Sequence, residues 1–152
     1  EAFKPFLAMA AAGGLADALS GMLADKAVYR SPQALGPAYE HPERLSDASI
    51  EIYLRPFLRN PQRTRDLQRF LGEFDPRHTL AIEPQLKTLR APTLIAWGTD
   101  DVFFDTRWSH WLAETIPGTR QRVELEGARI FFPEERWAQF NDLLRAHWLA
   151  SV

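Results

Sequence analysis

Cysteine is missing altogether from the 152 residues. That removes disulfides, thiolate zinc sites, iron–sulfur clusters and cysteine nucleophiles in one step, and it fits a reducing cytoplasmic compartment. An excess of charge of one sign is missing too. Lys and Arg together number 18 against 20 Asp and Glu, a net charge of −2, with no basic stripe to neutralise phosphates, so nucleic acid is excluded as a partner. No apolar run approaches the roughly 18 residues a membrane span needs. No two of the four histidines stand at the spacing of an H-x-x-x-H metal pair, so no metal is expected, and no cofactor either. The sequence opens on Glu1 without an initiator Met and without the basic-then-apolar pattern of a signal peptide, and it reads as part of something longer. What is present is apolar: 45% hydrophobic and 12% aromatic, with five Trp and ten Phe. A chain near 150 residues buries about 68–70% of its unfolded surface, so this is material for one ordinary core and excludes disorder.

Periodicity divides the chain into a helical region, residues 1–85, and a strand–helix–strand–helix region, residues 86–152. In the first, Phe3 to Ala12 and Leu15 to Ala27 are rich in Ala, Leu and Met and are separated by Gly13-Gly14, which predicts two helices. Tyr29 to Arg44 holds Pro32, Gly36, Pro37 and Pro42 and is expected as a loop. Ser46 is a good N-cap, with Leu45 able to staple onto Ile50. Ile50, Tyr53, Leu54, Phe57 and Leu58 then form one apolar face, and Pro56 is expected to break or bend the helix near Arg55. Asn60-Pro61 restarts a helix as N-cap and N1, with Leu67, Phe70, Leu71 and Phe74 inward. Arg63, Arg65, Asp66 and Arg69 read as its solvated, ion-paired side rather than an anion site.

The second region changes period. Pro92 to Trp97 is a short apolar run closed by Gly98, which suits a strand buried on both faces. Asp105 can cap a helix over Trp108, Trp111, Leu112 and Thr115, which stops at Pro117-Gly118. Arg120 to Glu126 alternates as a half-exposed strand near a sheet edge, ended by Gly127. Pro133 sits at N1 of a last helix whose inward stripe is Trp137, Phe140, Leu143, Leu144 and Trp148. A short helical crossover makes the two strands parallel. Two strands do not form an independently stable sheet, so Pro92–Trp97 is expected to pair with strands outside this sequence, unless a strand hides in the helical region around Thr79–Ile82.

The stretch from Leu89 to Trp148 resembles the C-terminal end of the α/β-hydrolase superfamily. The residues that carry the resemblance are Ala91-Pro92-Thr93-Leu94-Ile95-Ala96-Trp97-Gly98-Thr99-Asp100-Asp101, then Ile116-Pro117-Gly118, Val123-Glu124-Leu125-Glu126-Gly127 and Pro133-Glu134-Glu135. The resemblance implies an α/β fold class: parallel strands with flanking helices, preceded by a helical cap or lid over residues 1–85, with the sheet incomplete in this chain. It also implies a partner, the missing N-terminal half of the hydrolase core, supplied by the same or a separate chain. A second copy, as a homodimer, is compatible with it.

Carried over by position, Asp101 falls on the acid of the family's catalytic triad. A carboxylate at the carboxyl end of a parallel strand stands where such sheets place their ligands, and it could orient an imidazole. Phe103 and Phe104 follow it and are placed to line an apolar pocket for a small-molecule substrate, or simply to pack. The family's catalytic His follows the glycine that ends the last strand, and here Gly127 is followed by Ala128. Without that imidazole neither a Ser nor an Asp nucleophile has its base, a loss on the order of 10⁴–10⁶ in rate. His110 reads as a partly buried helix residue, His41 and His78 as surface residues, and His147 as a helix C-terminal cation. The nucleophile elbow is absent: Ala18-Leu19-Ser20-Gly21-Met22 lacks its outer glycines, and Ser20 reads as a helix residue.

Two functions follow from the resemblance. One is a hydrolase of the lidded type, epoxide hydrolase- or haloalkane dehalogenase-like, acting on a small, largely apolar ester, epoxide or haloalkane, with this chain supplying lid and acid. The other is a hydrolase-fold binding or interaction protein that has lost its triad. An independent helical interaction domain is the reading from a different class.

Overall fold

A computed structural model describes residues 4–150. They form a mixed α/β, mostly helical structure with one small parallel sheet, divided into two compact units: the chain up to Pro37 with His41–Asp75, and Ala38–Glu40 with the chain from Pro76 on. Phe3, placed at a helix start above, lies outside the described residues.

The first unit is helical: α1 (Lys4–Ala11), α2 (Leu15–Ala24), α3 (Lys26–Arg30), α4 (Asp47–Leu58) and α5 (Pro61–Gly72). Gly13, at φ +84°, supplies the left-handed residue that turns α1 into α2. The single helix expected over Leu15–Ala27 is two, because Asp25 leaves helical backbone and its carboxylate accepts the Ala27 N–H to start α3. Ser46 caps α4 through the Ser49 N–H at 3.0 Å, and Asn60 caps α5 through the Gln62 N–H at 2.9 Å, with Pro61 in the first turn. Pro56 neither breaks nor ends α4, which continues to Leu58. A proline removes the donor for one carbonyl, and α4 packs against both α2 and α5. Leu15, Leu19 and Met22 of α2 and Ile50 and Leu54 of α4 form the buried centre with Ala10, Tyr29 and Leu45. The inward face expected of α5 is only partly so: Leu67 and Leu71 are half-buried, whereas Phe70 and Phe74 are exposed and stack edge-on at 6.5 Å.

The second unit carries α6 (Pro76–Leu80), α7 (Glu83–Leu86), β1 (Thr93–Gly98), α8 (Arg107–Thr115), β2 (Thr119–Leu125), α9 (Phe132–Glu135) and α10 (Trp137–Ala150). The alternative strand at Thr79–Ile82 is not formed; that segment is the end of α6 and a turn. β1 and β2 are parallel, in register from Leu94 opposite Gln121 to Gly98 opposite Leu125, and α8 packs on both. Among the described residues β2 is the one strand beside β1.

Burial departs from expectation in one consistent direction. Of β1 only Ile95 and Gly98 are buried, and Leu94, Ala96 and Trp97 are half-buried, so the double-faced burial expected of this strand is not met. The final helix, expected from Pro133 onward, breaks at Arg136 into α9 and α10. Along α10, Phe140, Leu143 and Leu144 are half-buried, but Trp137 is 63% and Trp148 61% exposed. Trp108 of α8 is exposed as well, while Ser109 beside it is the residue fully enclosed. These stripes have the spacing of inward faces without enough protein laid against them.

Candidate functional site

The carboxyl ends of β1 and β2 are stitched together. Thr99 N–H donates to Leu125 O at 3.0 Å, Asp100 N–H to Ala128 O at 3.0 Å, and Gly127 N–H to the Thr99 hydroxyl at 2.8 Å. This places the loop holding Asp101 beside the loop holding Ala128, the two positions singled out in the sequence.

Asp101 is half-buried, and its Oδ1 accepts the backbone N–H groups of Phe103 at 2.8 Å and Phe104 at 3.0 Å. That is an Asx-type turn, the commonest use of an Asp after a strand. The turn is pinned again by the Trp97 indole N–H, which donates to Phe104 O at 2.9 Å, and Asp105 Oδ1 accepts the Arg107 N–H at 2.8 Å at the start of α8. Phe103 is half-buried and Phe104 exposed. No imidazole bonds to Asp101 among the described residues. His110 is exposed rather than partly buried, with Nε2 at 3.1 Å from Glu124 Oε1, and His41 Nδ1 lies 3.3 Å from Glu43. Ser20 is an exposed α2 residue whose hydroxyl donates to Ala16 O, as expected of a helix position.

Ala128 is fully enclosed. It clusters with Leu125 and Phe132, flanked by Ala96 and Phe140. The position that the resemblance assigns to a catalytic base is therefore a core position, filled by a methyl group.

Sequence reasoning missed two polar arrangements around this end of the sheet. In one, Arg122 bridges Glu124 at 2.5 Å and the Ser109 hydroxyl at 3.2 Å. The Arg122 hydrogen bond, helped by the charges of Arg122 and His110 and opposed by burial, holds the Glu124 carboxyl below its ordinary range. In the other, the strap Ala38–Glu40 is clamped to the α9 turn. Arg136 donates to both carboxylate oxygens of Glu40 at 2.8 and 2.7 Å and to Glu126 O at 2.9 Å. Glu40 N–H donates to Glu135, Phe131 N–H to Ala38 O, and the Tyr39 ring lies 4.8 Å from that of Phe131. The Glu40 hydrogen bond, against some burial, raises the Arg136 guanidinium further above its usual value. No local signal announces this clamp, since 96 residues separate the partners.

Both clamp side chains are about three-quarters enclosed. Glu40→Gln keeps the shape and removes the charge, and is expected to cost about 1–3 kcal/mol, because the guanidinium keeps its desolvation without its counterion. Thermal melts of the variant check this, and a change within error of zero would make the clamp incidental.

No cluster of His, Asp or Glu suited to a metal ion and no single helix long and apolar enough to cross a membrane occurs among the described residues. Compared with family models, with curated proteins and with solved structures, the chain gives no match.

Proposed function

We propose that this chain is the lid and C-terminal core segment of an α/β-hydrolase-like protein that binds a small, largely apolar molecule, and that no Ser-His-Asp-type triad operates through it. The observation that carries the reading is Ala128: its methyl is sealed in a core cluster directly beside the Asp101 loop, where the family's base would have to stand. The apolar residues around the carboxyl ends of the strands, with Val102 and Phe104 exposed next to Asp101, supply the kind of surface a small hydrophobic molecule needs.

The strands that complete the sheet would add along β1. The other strand, β2, carries Arg120, Arg122 and Glu124, the charged pattern by which edge strands discourage pairing, whereas Thr93 to Trp97 carry no charge. The same completion accounts for the uncovered stripes of α8 and α10.

A second reading, an active hydrolase on an ester, epoxide or haloalkane, is favoured by one feature: Asp101 lies at the carboxyl end of a parallel strand, in the loop bonded to the Ala128 loop. Turnover of a p-nitrophenyl ester, an aryl epoxide and a chloroalkane by the full-length protein, with Asp101→Asn as control, separates the two. The binding reading expects no turnover above buffer. Turnover abolished by Asp101→Asn would overturn it in favour of the hydrolase, and turnover indifferent to Asp101→Asn would overturn both.

A further inference from the structure

The helical unit has a shallow, open groove of about 760 Å³ along α4 and the start of α5. Its apolar lining is Ala48, Ile52 and Pro56, spaced four apart on α4, and Ile52 is 70% exposed. The polar lining is cationic. Arg55, Arg59 and Arg63 follow one another at the same spacing, from α4 across the helix junction into the first turn of α5.

The one carboxylate among the lining residues is already committed. Glu51 Oε2 accepts both Nε and Nη2 of Arg55, at 2.9 and 2.7 Å, and Glu51 Oε1 lies 3.3 Å from Lys26 Nζ. The Arg55 guanidinium and then the Lys26 ammonium hold the Glu51 carboxyl below its ordinary range. Arg59 and Arg63 line the same groove and have no acidic partner among the described residues. An apolar wall beside two guanidiniums without counterions is complementary to a molecule that is aliphatic at one end and anionic at the other.

We propose that this groove binds a small amphiphilic anion of the aliphatic-carboxylate class, with the carboxylate on Arg59 and Arg63 and the alkyl chain along Ile52 and Pro56. The site belongs wholly to the helical unit, so it stands or falls separately from the hydrolase-like reading of the strands. It also revises the expectation that Arg63 belongs with Arg65, Asp66 and Arg69. Those three do form a solvated network, Arg69 pairing with Asp66 at 2.8 Å and Arg65 with Gln62, and Arg63 lies outside it.

The test is calorimetric titration of the full chain with octanoate below its micellar range. Octanol serves as the uncharged analogue, inorganic phosphate as the anion without a tail, and a Glu-rich amphipathic peptide as the macromolecular alternative. Saturable octanoate binding is expected, weakened about tenfold or more by Arg59→Gln with Arg63→Gln and also by Ile52→Asn, with no saturation by octanol or phosphate over the same range. All three replaced side chains are exposed, so the variants retain the fold, which a thermal melt verifies. Absence of octanoate binding, equal binding of octanol or phosphate, or variants that bind like the parent would each overturn the proposal. Binding of the peptide without octanoate would overturn it in favour of a protein partner.

Discussion

Gly98→Ala is expected to lower the melting temperature by about 6–12 °C, the equivalent of about 3 kcal/mol in a chain of this size. A Cβ on Gly98 would stand 2.3 Å from Ala128 O and 2.6 Å from Ala128 C. These are backbone atoms, which cannot swing aside as the end of a lysine can. Either the 127–129 loop retreats or the end of β1 does, and both routes stretch the bonds from Asp100 to Ala128 and from Thr99 to Leu125. Overpacking costs about 1–3 kcal/mol and each lost bond about 0.5–1.5 kcal/mol. Gly21→Ala is the control: it lies inside α2 with nothing within 4 Å of a new Cβ, and it should gain about 0.5–1 kcal/mol of helix propensity. Equal melts for the Gly98 variant and the parent would show that the two loops do not abut.

That contact was half legible beforehand. The strand ending at Gly98 and the strand ending at Gly127 follow from composition, because a short apolar run and an alternating one carry their own periods. The caps at Ser46 and Asn60 were legible for the same reason: a cap is a bond across two or three residues, so its evidence is local. Burial was not legible to the same depth. Trp137 and Trp148 have the spacing of an inward stripe and are exposed, because a stripe records what a helix is fit to cover and not whether the cover is in this chain. Phe70 and Phe74 mislead in the same way. The break at Arg136 had no signal either. Its side chain bonds Glu40, 96 residues distant, and nothing in the local sequence of the helix records that bond.

The adjacency of the two loops was legible, and the state of the side chains on them was not. Asp101 and Ala128 do come to adjacent loops, which the order strand, loop, helix, strand dictates. Whether a carboxylate faces open space or caps its own turn depends on ψ angles over Phe103 and Phe104, and these two side chains are compatible with either. The clamp at Glu40 and the uncompensated Arg59 and Arg63 depend on which neighbours are already paired, a property of the folded surface alone.

A histidine placed at position 128, where the resemblance would put a catalytic base, puts that distinction to its sharpest use. Ala128→His is expected to destabilise by about 2–6 kcal/mol and to create no turnover. The imidazole would replace a fully enclosed methyl and enter the space beside Leu125, Phe132, Ala96 and Phe140, none of which offers its ring nitrogens a side-chain partner. Burial there favours the neutral ring and sets its folded pKa below the roughly 6.5 of an unfolded His. Below that pH the unfolded chain then binds the extra proton, so the variant's deficit against the parent should widen as pH falls from about 7.5 to 5.5. Paired melts across that range, with ester turnover measured in parallel on the full-length protein, decide the matter. A variant as stable as the parent that hydrolyses ester in an Asp101-dependent way would show that position 128 faces the carboxylate after all. A triad through Asp101 would then be one substitution away, and not blocked by the core.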